Sequence, residues 1–158
     1  TTGRSKHRAP NIITSLELMP EVMEQKNLHL QAKYRQIKAN ETRCELTKCD
    51  DADYLVVAFG SAARIAEKSM EVARAHNIRL GLFRPITLWP FPEKELRNAA
   101  AGKKGILVAE INAGQMVQDV SLAVGSNIPV AHFGRLGGIV PDPEEIVNAL
   151  KTKLIDNE

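Results

Sequence analysis

Apolar and polar residues follow two different patterns on either side of residue 52. In the first part, apolar residues recur at loose helical spacing within the segment MPEVMEQKNLHLQAKYRQIKAN, after a proline near its start. This pattern predicts one charged amphipathic helix in an N-terminal extension, residues 1–52. From residue 53 onward, short continuous apolar runs alternate with helical patterns, and these predict a separate domain over residues 53–158.

Four apolar runs in the second part predict β-strands, at residues 54–59, 78–83, 105–111 and 128–133. Helical patterns follow these runs, at residues 63–77, 92–102, 115–124 and 141–154. The last helix has Asp142 as its expected N-cap and Pro143 at its first position. Strands that are apolar throughout are buried on both faces, and right-handed crossovers then produce a parallel sheet. The predicted fold class is therefore α/β, a three-layer α/β/α sandwich with a mainly parallel sheet, preceded by an N-terminal helical linker.

Composition narrows the function that we expect. The chain has 158 residues, 44% of them hydrophobic, and a formal net charge of +2, which suits one core with an appendage. The nearly balanced charge gives no case for nucleic acid or a membrane as a partner, apart from a short basic tip at Arg4, Lys6 and Arg8.

Hydropathy and the N-terminal sequence indicate where in the cell we expect the chain. No apolar run approaches the roughly 20 residues of a membrane span, and no signal peptide is recognisable, so we expect a cytoplasmic chain. The polar start, with threonine as first residue, leads us to expect part of a longer protein. We expect residues 1–10 to be mobile when the preceding domain is absent.

Cysteine and histidine offer no metal site in this sequence. Cys44 and Cys49 are the only cysteines, and a C-x4-C pair lacks the other thiolates of a zinc site or an iron–sulfur cluster. We interpret both as reduced thiols. The four histidines are scattered along the chain, at His7, His29, His76 and His132, without metal-binding spacing. We therefore predict no metal ligand and no catalytic residue, and we expect His132 to be packed within its strand.

In an open parallel sheet, ligands and partners bind at the loops that follow the carboxyl ends of the strands. The first such loop, FGSAAR, places Gly60, Ser61 and Arg64 at a helix N-terminus, where unpaired N–H groups can receive an anion. These residues form a candidate anion site, and the favoured alternative is that Ser61 simply caps the helix. Neither G-x-G-x-x-G nor G-x-x-x-x-G-K-[ST] occurs, so no familiar nucleotide-binding loop is indicated.

The second loop lies in GLFRPITLWPFPEKEL, which contains two of the four phenylalanines and the only tryptophan. Three prolines stiffen it: Pro85, Pro90 and Pro92. We interpret Trp89 and Phe91 either as an anchor for another protein surface or as a small core beneath the loop, since aromatic residues and arginine are enriched at interface hot spots. Arg84 is a further interface candidate, although a structural ion pair is the favoured interpretation.

The third and fourth loops add polar interface candidates. Glu110 ends a buried strand, and we expect its carboxylate to bond to the adjacent loop backbone rather than act as a general base. No histidine, cysteine or second acid lies close by in sequence to complete a catalytic group. Asn112 and Gln115 lie in the turn that follows, and Arg135 lies in the glycine-rich GRLGGIVP. Arg135 could pair with a carboxylate of a partner, or this loop could be a flexible surface turn.

Several motifs, taken in order, resemble one family. FGSAARIAEKSMEVAR, GLFRPITLWPFPEKEL, VAEINAGQMVQDV and GRLGGIVPDPEEI are similar to the C-terminal domain of the alpha subunit of 2-oxoacid:ferredoxin oxidoreductases. The segment NIITSLELMPEVMEQKNLHLQAKYRQI resembles the linker of the branched-chain (2-oxoisovalerate) type and its 2-oxoglutarate relatives. The resemblance covers nearly the whole chain and implies a transketolase C-terminal-like domain.

The resemblance implies an activity whose chemistry lies in other parts of a complex. Such enzymes use thiamine diphosphate and magnesium to decarboxylate a 2-oxoacid oxidatively; the acyl group goes to coenzyme A, and electrons pass through iron–sulfur clusters to ferredoxin. The implied partners are the N-terminal domain of the same alpha subunit, a beta subunit and a ferredoxin-like subunit, with ferredoxin as electron acceptor. None of these cofactors is expected in this chain, so we expect a non-catalytic assembly domain.

Two alternatives stay open on sequence alone. The chain could be a stand-alone module that binds coenzyme A or another phosphate ligand at Gly60 and Ser61. It could also be the C-terminal domain of a related transketolase or 2-oxoacid dehydrogenase, because these enzymes share the implied fold.

Overall fold

The computed structural model describes residues 7–12 and 14–156 of the chain. The first six residues of the chain lie outside the described residues. They include Arg4 and Lys6 and belong to the segment expected to be mobile. Contacts divide the chain into two units, residues 1–39 and 40–158, and each is considered by itself.

The first unit contains most of helix α1, Pro20–Glu41, which confirms the predicted N-terminal helix. The helix begins at a proline, whose missing N–H would have no partner in the first turn. Glu21 lies near its start and Lys38 near its end, as the helix dipole favours. Lys26 pairs with Glu17, with 2.6 Å between Nζ and Oε2. No residue of α1, which is described over its full length, is buried.

The second unit is built on a sheet that has five strands within the described residues. They are β1 (Cys44–Thr47), β2 (Tyr54–Val57), β3 (Leu80–Pro85), β4 (Gly105–Glu110) and β5 (Val130–Gly134). Their order is β1-β3-β2-β4-β5; β2 to β5 run parallel, and β1 pairs antiparallel with β3. The mainly parallel sheet is confirmed, and all four predicted strands are present.

Strand β1 was not predicted. Its sequence, CELT, has only two apolar residues, and all four of its residues are exposed or half-buried, as is common for a short edge strand. The antiparallel register places Leu46 opposite Phe83. This segment becomes a strand because the edge of β3 offers it a partner, and that edge exists only in the folded domain.

Four helices follow the parallel strands: α2 (Gly60–Ala75), α3 (Glu93–Ala100), α4 (Met116–Val124) and α5 (Pro143–Leu150). At α5, the predicted N-cap Asp142 and the first-position proline are confirmed. Glu145 supports this cap, since its Oε2 accepts the backbone N–H of Asp142 at 3.1 Å. A π-helical turn, Lys151–Ile155, extends α5 to one residue beyond the predicted end at residue 154.

The two faces of the sheet bury separate cores, and this confirms the three-layer sandwich. Successive strand residues point to opposite faces. Val56 and Leu107 therefore share one core with residues of α2 and α5. Leu55, Phe83 and Val108 share the other core with residues of α3 and α4.

The residues just before the predicted boundary at 52/53 pack on the sheet. Lys103 Nζ donates to the carbonyl oxygens of Cys49 (2.6 Å) and Ala52 (2.8 Å). Gly81 on β3 approaches this segment so closely that a Cβ there would lie 2.8 Å from the carbonyl oxygen of Lys48, so glycine is needed for the contact. The division into residues 1–52 and 53–158 stays a prediction, which truncation of the chain can test.

Candidate functional site

The loops that follow β2, β3, β4 and β5 lie at one edge of the sheet, because these strands run parallel. We call it the carboxyl edge. The strand order places the loop after β3 toward one end of this edge and the loop after β5 at the other end, with the starts of α2 and α4 between them. The residues singled out from the sequence all lie on or next to it: Gly60, Ser61, Arg64, Arg84, Trp89, Phe91, Asn112, Gln115 and Arg135.

Glu110 ends β4, and its side chain is fully buried. Its carboxylate accepts three backbone N–H groups from the start of α4. Oε2 accepts from Gln115 (3.3 Å) and Met116 (2.9 Å), and Oε1 accepts from Val117 (3.1 Å). The first N–H groups of a helix lack partners within it, and the helix dipole favours a negative charge there. The expected role of Glu110 is confirmed, and the chain's own carboxylate fills the anion position at α4.

Asn112 shapes the turn between Glu110 and α4. Its Oδ1 accepts the backbone N–H groups of Gly114 (2.7 Å) and Gln115 (3.2 Å), which is a side-chain turn of the Asx kind. Asn112 is half-buried and Gln115 is exposed. The structure thus brings these two interface candidates together in one well-held turn, in which the Asn112 oxygen is already used.

His132 lies beside this turn, on β5. Its Nε2 is 3.7 Å from Oε1 of Glu110 and is buried without a hydrogen-bond partner among the described residues. The expectation that His132 packs within its strand is confirmed. Its neighbour Glu110 was not foreseen, because their proximity depends on the parallel pairing of β4 with β5, in which Val108 lies opposite His132.

Helix α2 begins at Gly60, so Ser61 is its second residue and Phe59 is its N-cap. The favoured prediction that Ser61 caps α2 is therefore wrong. Gly60 adopts a φ of 55° and turns the chain directly into the helix, which places the serine inside the first turn. Phe59 makes no side-chain cap bond, and Gly60, Ser61 and Arg64 are all exposed. Binding of an anion here stays a prediction.

Residues 86–92 form what we call the Trp89 loop, and neighbouring backbone holds this loop in place. Thr87 Oγ1 donates to the carbonyl oxygen of Pro90 (2.8 Å) and accepts the N–H of Arg43 (3.0 Å). The carbonyl oxygen of Arg43 accepts the N–H of Thr87 in return (3.2 Å). The loop is therefore fixed at its centre as well as at its ends.

The two aromatic residues of this loop have different surroundings. Phe91 packs against the core that contains Phe83, so it serves as the small core that one interpretation predicted. Trp89 is 55% exposed, next to the exposed Leu88 and near the exposed Ile86. An apolar cluster exposed on a well-held loop is typical of a surface that binds another protein.

The arginines of the carboxyl edge differ in their partners. Arg84 pairs with Glu45, with 2.9 Å between Nη1 and Oε2, which confirms the favoured interpretation of a structural ion pair. Arg135 pairs with Glu145, with 3.4 Å between Nη2 and Oε1. Arg64 is exposed on α2. Two of the three arginines therefore already contribute their charge within the chain.

Sequence reasoning missed a second exposed apolar cluster, on the loop after β5. Leu136, Ile139 and Val140 are 60%, 51% and 69% exposed, and we call them the β5-loop patch. The signal was present in GRLGGIVP, where three aliphatic residues flank a glycine pair. The sequence-based prediction for this motif used only the glycines and Arg135 and left out the aliphatic residues.

Both cysteines are free thiols. Cys49 donates to the carbonyl oxygen of Leu82, with Sγ at 3.2 Å, and burial raises the pKa of its thiol. Burial also raises the pKa of Cys44, and the negative charge of Glu95 adds to the effect. Among residues 7–12 and 14–156, His, Cys, Asp and Glu form no group of three or more that could hold a metal ion. No helix in that part of the chain combines the length and apolar character needed to cross a membrane.

Comparison with protein families and curated proteins gives consistent matches. Residues 52–146 match the pyruvate:ferredoxin oxidoreductase core domain II. The ketoisovalerate oxidoreductase subunit VorB of Methanothermobacter marburgensis is 35% identical over 147 residues, which cover 93% of this chain and 42% of the relative. The 2-oxoglutarate synthase subunit KorA of the same organism is 36% identical over 101 residues, covering 64% of this chain and 27% of the relative. The chain thus spans less than half the length of these relatives.

Two solved structures share the fold of this chain. The 2-oxoglutarate:ferredoxin oxidoreductase from Magnetococcus marinus, with 2-oxoglutarate, coenzyme A and succinyl-CoA bound, matches with a TM-score of 0.73 and 22% identity, covering 87% of this chain and 24% of that one. A split-gene transketolase, an inactive beta4 tetramer, matches with a TM-score of 0.59 and 19% identity, covering 71% and 41%. These matches confirm the transketolase C-terminal-like fold.

The family match also supports the resemblance seen in the sequence. It runs from just before β2 into α5 and so includes all four loops of the carboxyl edge. The motifs that resembled 2-oxoacid:ferredoxin oxidoreductases lie in these loops and their flanking helices. The chain therefore belongs to the pyruvate:ferredoxin oxidoreductase core domain II family.

Proposed function

We propose that this chain is a non-catalytic assembly domain in the alpha subunit of a thiamine diphosphate-dependent 2-oxoacid:ferredoxin oxidoreductase. Such a complex decarboxylates a 2-oxoacid oxidatively, transfers the acyl group to coenzyme A and passes electrons through iron–sulfur clusters to ferredoxin. Family membership and the similarity to ketoisovalerate and 2-oxoglutarate enzymes support this reaction class. The proposed partners are the N-terminal domain of the same subunit, a beta subunit and a ferredoxin-like subunit, in the cytoplasm.

The described residues do not fit the metal cofactors of this reaction. Magnesium needs oxygen ligands brought together, and an iron–sulfur cluster needs several thiolates. The structure gathers no such group within residues 7–12 and 14–156. The buried carboxylate of Glu110 is taken up by three N–H groups of α4. We therefore assign no reaction step to this chain, whose proposed contribution is to hold other parts of the complex in place.

One observation carries the proposal: Trp89 is exposed on a loop that is already ordered. A tryptophan that fills a pocket on a partner is a typical interface hot spot. Binding costs entropy when a loop must be ordered first. The hydrogen bonds around Thr87 hold this loop in the free domain, so that cost is small, and an exposed anchor is ready to dock.

Replacement of Trp89 tests this proposal in the full-length subunit. We expect Trp89→Ala to weaken association with the partner subunits by about tenfold or more, because a central aromatic anchor is lost. The melting temperature of the variant should stay within about 2 °C of wild type. Sedimentation or titration calorimetry with the purified partner subunits measures the association.

A matched control is available on α4, where Leu122 is 82% exposed. Leu122→Ala removes an exposed apolar side chain but leaves the carboxyl edge intact, so association should be unchanged. Wild-type association of the Trp89→Ala variant would contradict the proposed assembly function.

A second function is favoured by the start of α2, which lacks a side-chain cap. The exposed residues at this helix start, Gly60, Ser61 and Arg64, suit a phosphate group, such as those of coenzyme A. Ligand that binds only the folded chain raises its melting temperature by mass action. We expect coenzyme A and inorganic phosphate to raise it for wild type and less for Arg64→Gln. No change at millimolar concentrations of either would exclude this function.

A further inference from the structure

The β5-loop patch lies far along the carboxyl edge from the Trp89 loop, because β2 and β4 separate β3 from β5 in the sheet. Its three aliphatic residues, Leu136, Ile139 and Val140, follow one another closely in the chain and are all more than half exposed. Contiguous exposed apolar residues on a soluble domain commonly mark a binding surface. This patch was not among the interface candidates derived from the sequence.

The loop that carries the patch is anchored at both ends. At its start, the N–H of Arg135 donates to the carbonyl oxygen of Glu110 (3.2 Å), and the Arg135 guanidinium pairs with Glu145 on α5. At its end, Pro141 is buried and Asp142 caps α5. The loop is therefore anchored on both sides of the three aliphatic residues.

A tight turn closes the tip of the loop. Gly137 and Gly138 adopt φ angles of 65° and 82°, a region that favours glycine. The N–H of Ile139 donates to the carbonyl oxygen of Leu136 (3.3 Å). A Cβ at either glycine would meet no atom within 4 Å, so the tip faces open space and a partner could approach it.

Carboxylates border the patch on its α5 side. Asp142 and Glu144 are exposed, and within the described residues neither has an ion-pair partner. The charge of Arg135 is matched by Glu145. The border of the patch therefore carries a net negative charge. Two copies of the patch facing each other would bring carboxylates against carboxylates, which disfavours a second copy as the occupant.

We infer that the β5-loop patch is a second docking surface of this domain, whose occupant is a surface of another subunit with aliphatic residues bordered by lysine or arginine. This inference rests on the proposed function, since it names the chemistry of a partner in the same assembly. The Trp89 loop and the β5-loop patch contact the partner at separate places along the carboxyl edge. The acidic border of the patch fixes the orientation of the partner.

The test uses the complex formed by the full-length subunit and its purified partner subunits. Leu136→Ser combined with Val140→Ser should weaken association by about tenfold, because less apolar area is removed from water when the partner binds. Glu144→Lys should weaken it about threefold at low salt, and this difference should shrink as added salt screens the charges. Leu122→Ser and Asp50→Lys are the controls, because both residues are exposed and lie off the carboxyl edge; neither should change association.

The outcomes separate this inference from the proposed function. If Trp89→Ala weakens association and the patch variants do not, the assembly function stands and the second docking surface is refuted. If none of these variants has an effect, both fail. Tighter association of Glu144→Lys would show an acidic partner and overturn the inference. Self-association of the isolated chain that the patch variants abolish would assign the patch to a second copy and also overturn it.

Discussion

The two edges of the sheet differ in the apolar side chains that their loops leave exposed. At the amino edge, where the parallel strands begin, Arg74 binds both carboxylate oxygens of Asp51 at 2.7 and 2.8 Å. Arg79 binds both oxygens of Asp53 at 2.6 and 2.9 Å. At the carboxyl edge, the Trp89 loop and the β5-loop patch leave apolar side chains exposed. These two arginines of the amino edge are thus paired within the chain, whereas the loops of the carboxyl edge leave large apolar side chains exposed.

Arg74 makes several hydrogen bonds at the amino edge. Besides Asp51, it donates to the carbonyl oxygens of Leu80 (2.8 Å) and Lys48 (2.9 Å). One guanidinium therefore connects the end of α2, the start of β3 and the segment between β1 and β2. Changes at this edge should affect folding, and changes at the exposed loops of the carboxyl edge should affect association.

Truncation of the chain at its N-terminus should lower the melting temperature more than any single substitution at either edge. A chain that begins at Asn40 keeps β1 and the amino-edge contacts, and we expect it to melt near the temperature of the full chain. A chain that begins at Asp53 loses the antiparallel neighbour of β3, the Asp51 partner of Arg74 and both acceptors of Lys103. It should melt at least about 10 °C lower or aggregate. Circular dichroism during heating measures both, and equal melting temperatures would support a boundary at 52/53.

Glu110→Gln should have an intermediate effect, and it tests whether the carboxyl edge is purely a contact surface. The amide keeps the size of the side chain but loses the charge that accepts three N–H groups at α4. We expect the free energy of unfolding to fall by about 2–3 kcal/mol, measured by urea denaturation at neutral pH. Glu144→Gln, at an exposed residue of the same edge, is the control. An unchanged stability of Glu110→Gln would show that the turn does not depend on this carboxylate.

Asp51→Asn should have the smallest effect, and its pH dependence identifies the cause. The hydrogen bond from Arg74 lowers the pKa of Asp51 from 3.8 to about 2. Because the pKa is lower in the folded chain, the carboxylate stabilises the fold above about pH 4, and this contribution is lost as the pH falls toward about 2. The variant should melt no more than about 2 °C below wild type at neutral pH, since the Asp51 carboxylate is exposed and water screens its charge.

Melting temperatures of wild type and Asp51→Asn at lower pH show whether the ion pair causes the difference. The difference in melting temperature between wild type and Asp51→Asn should shrink between about pH 4 and pH 2. Asp50→Asn is a suitable control, because Asp50 is exposed in the same segment, whereas Arg74 pairs with Asp51. A difference that persists unchanged at pH 2 would rule out the ion pair as its origin.

Local patterns predicted the parts of the fold whose signals lie within one element. The continuous apolar runs identified all four parallel strands, and Asp142 with Pro143 identified the start of α5. The role of Glu110 was also predictable, since a carboxylate at a strand end just before a helix has N–H groups close by in sequence. Ser61 was misplaced, because α2 begins at Gly60, whose φ is positive, two residues earlier than a cap at Ser61 would start it.

Other features depended on residues that are distant in the chain. β1 forms because β3 has an unpaired edge, and His132 meets Glu110 because β5 pairs with β4. The exposure of Trp89, and of the three aliphatic residues after β5, could not be read from composition, since identical residues would be buried if a helix covered them.

The order of apolar and polar residues thus decides the α/β fold, the family and the absence of familiar nucleotide-binding loops, because periodicity and short motifs are local properties of the chain. The tertiary structure places the exposed apolar loops at one edge of the sheet and the Asp51–Arg74 and Asp53–Arg79 pairs at the other. That division arises only when the parallel pairing of β2 to β5 collects all the strand ends of one kind at one side of the domain.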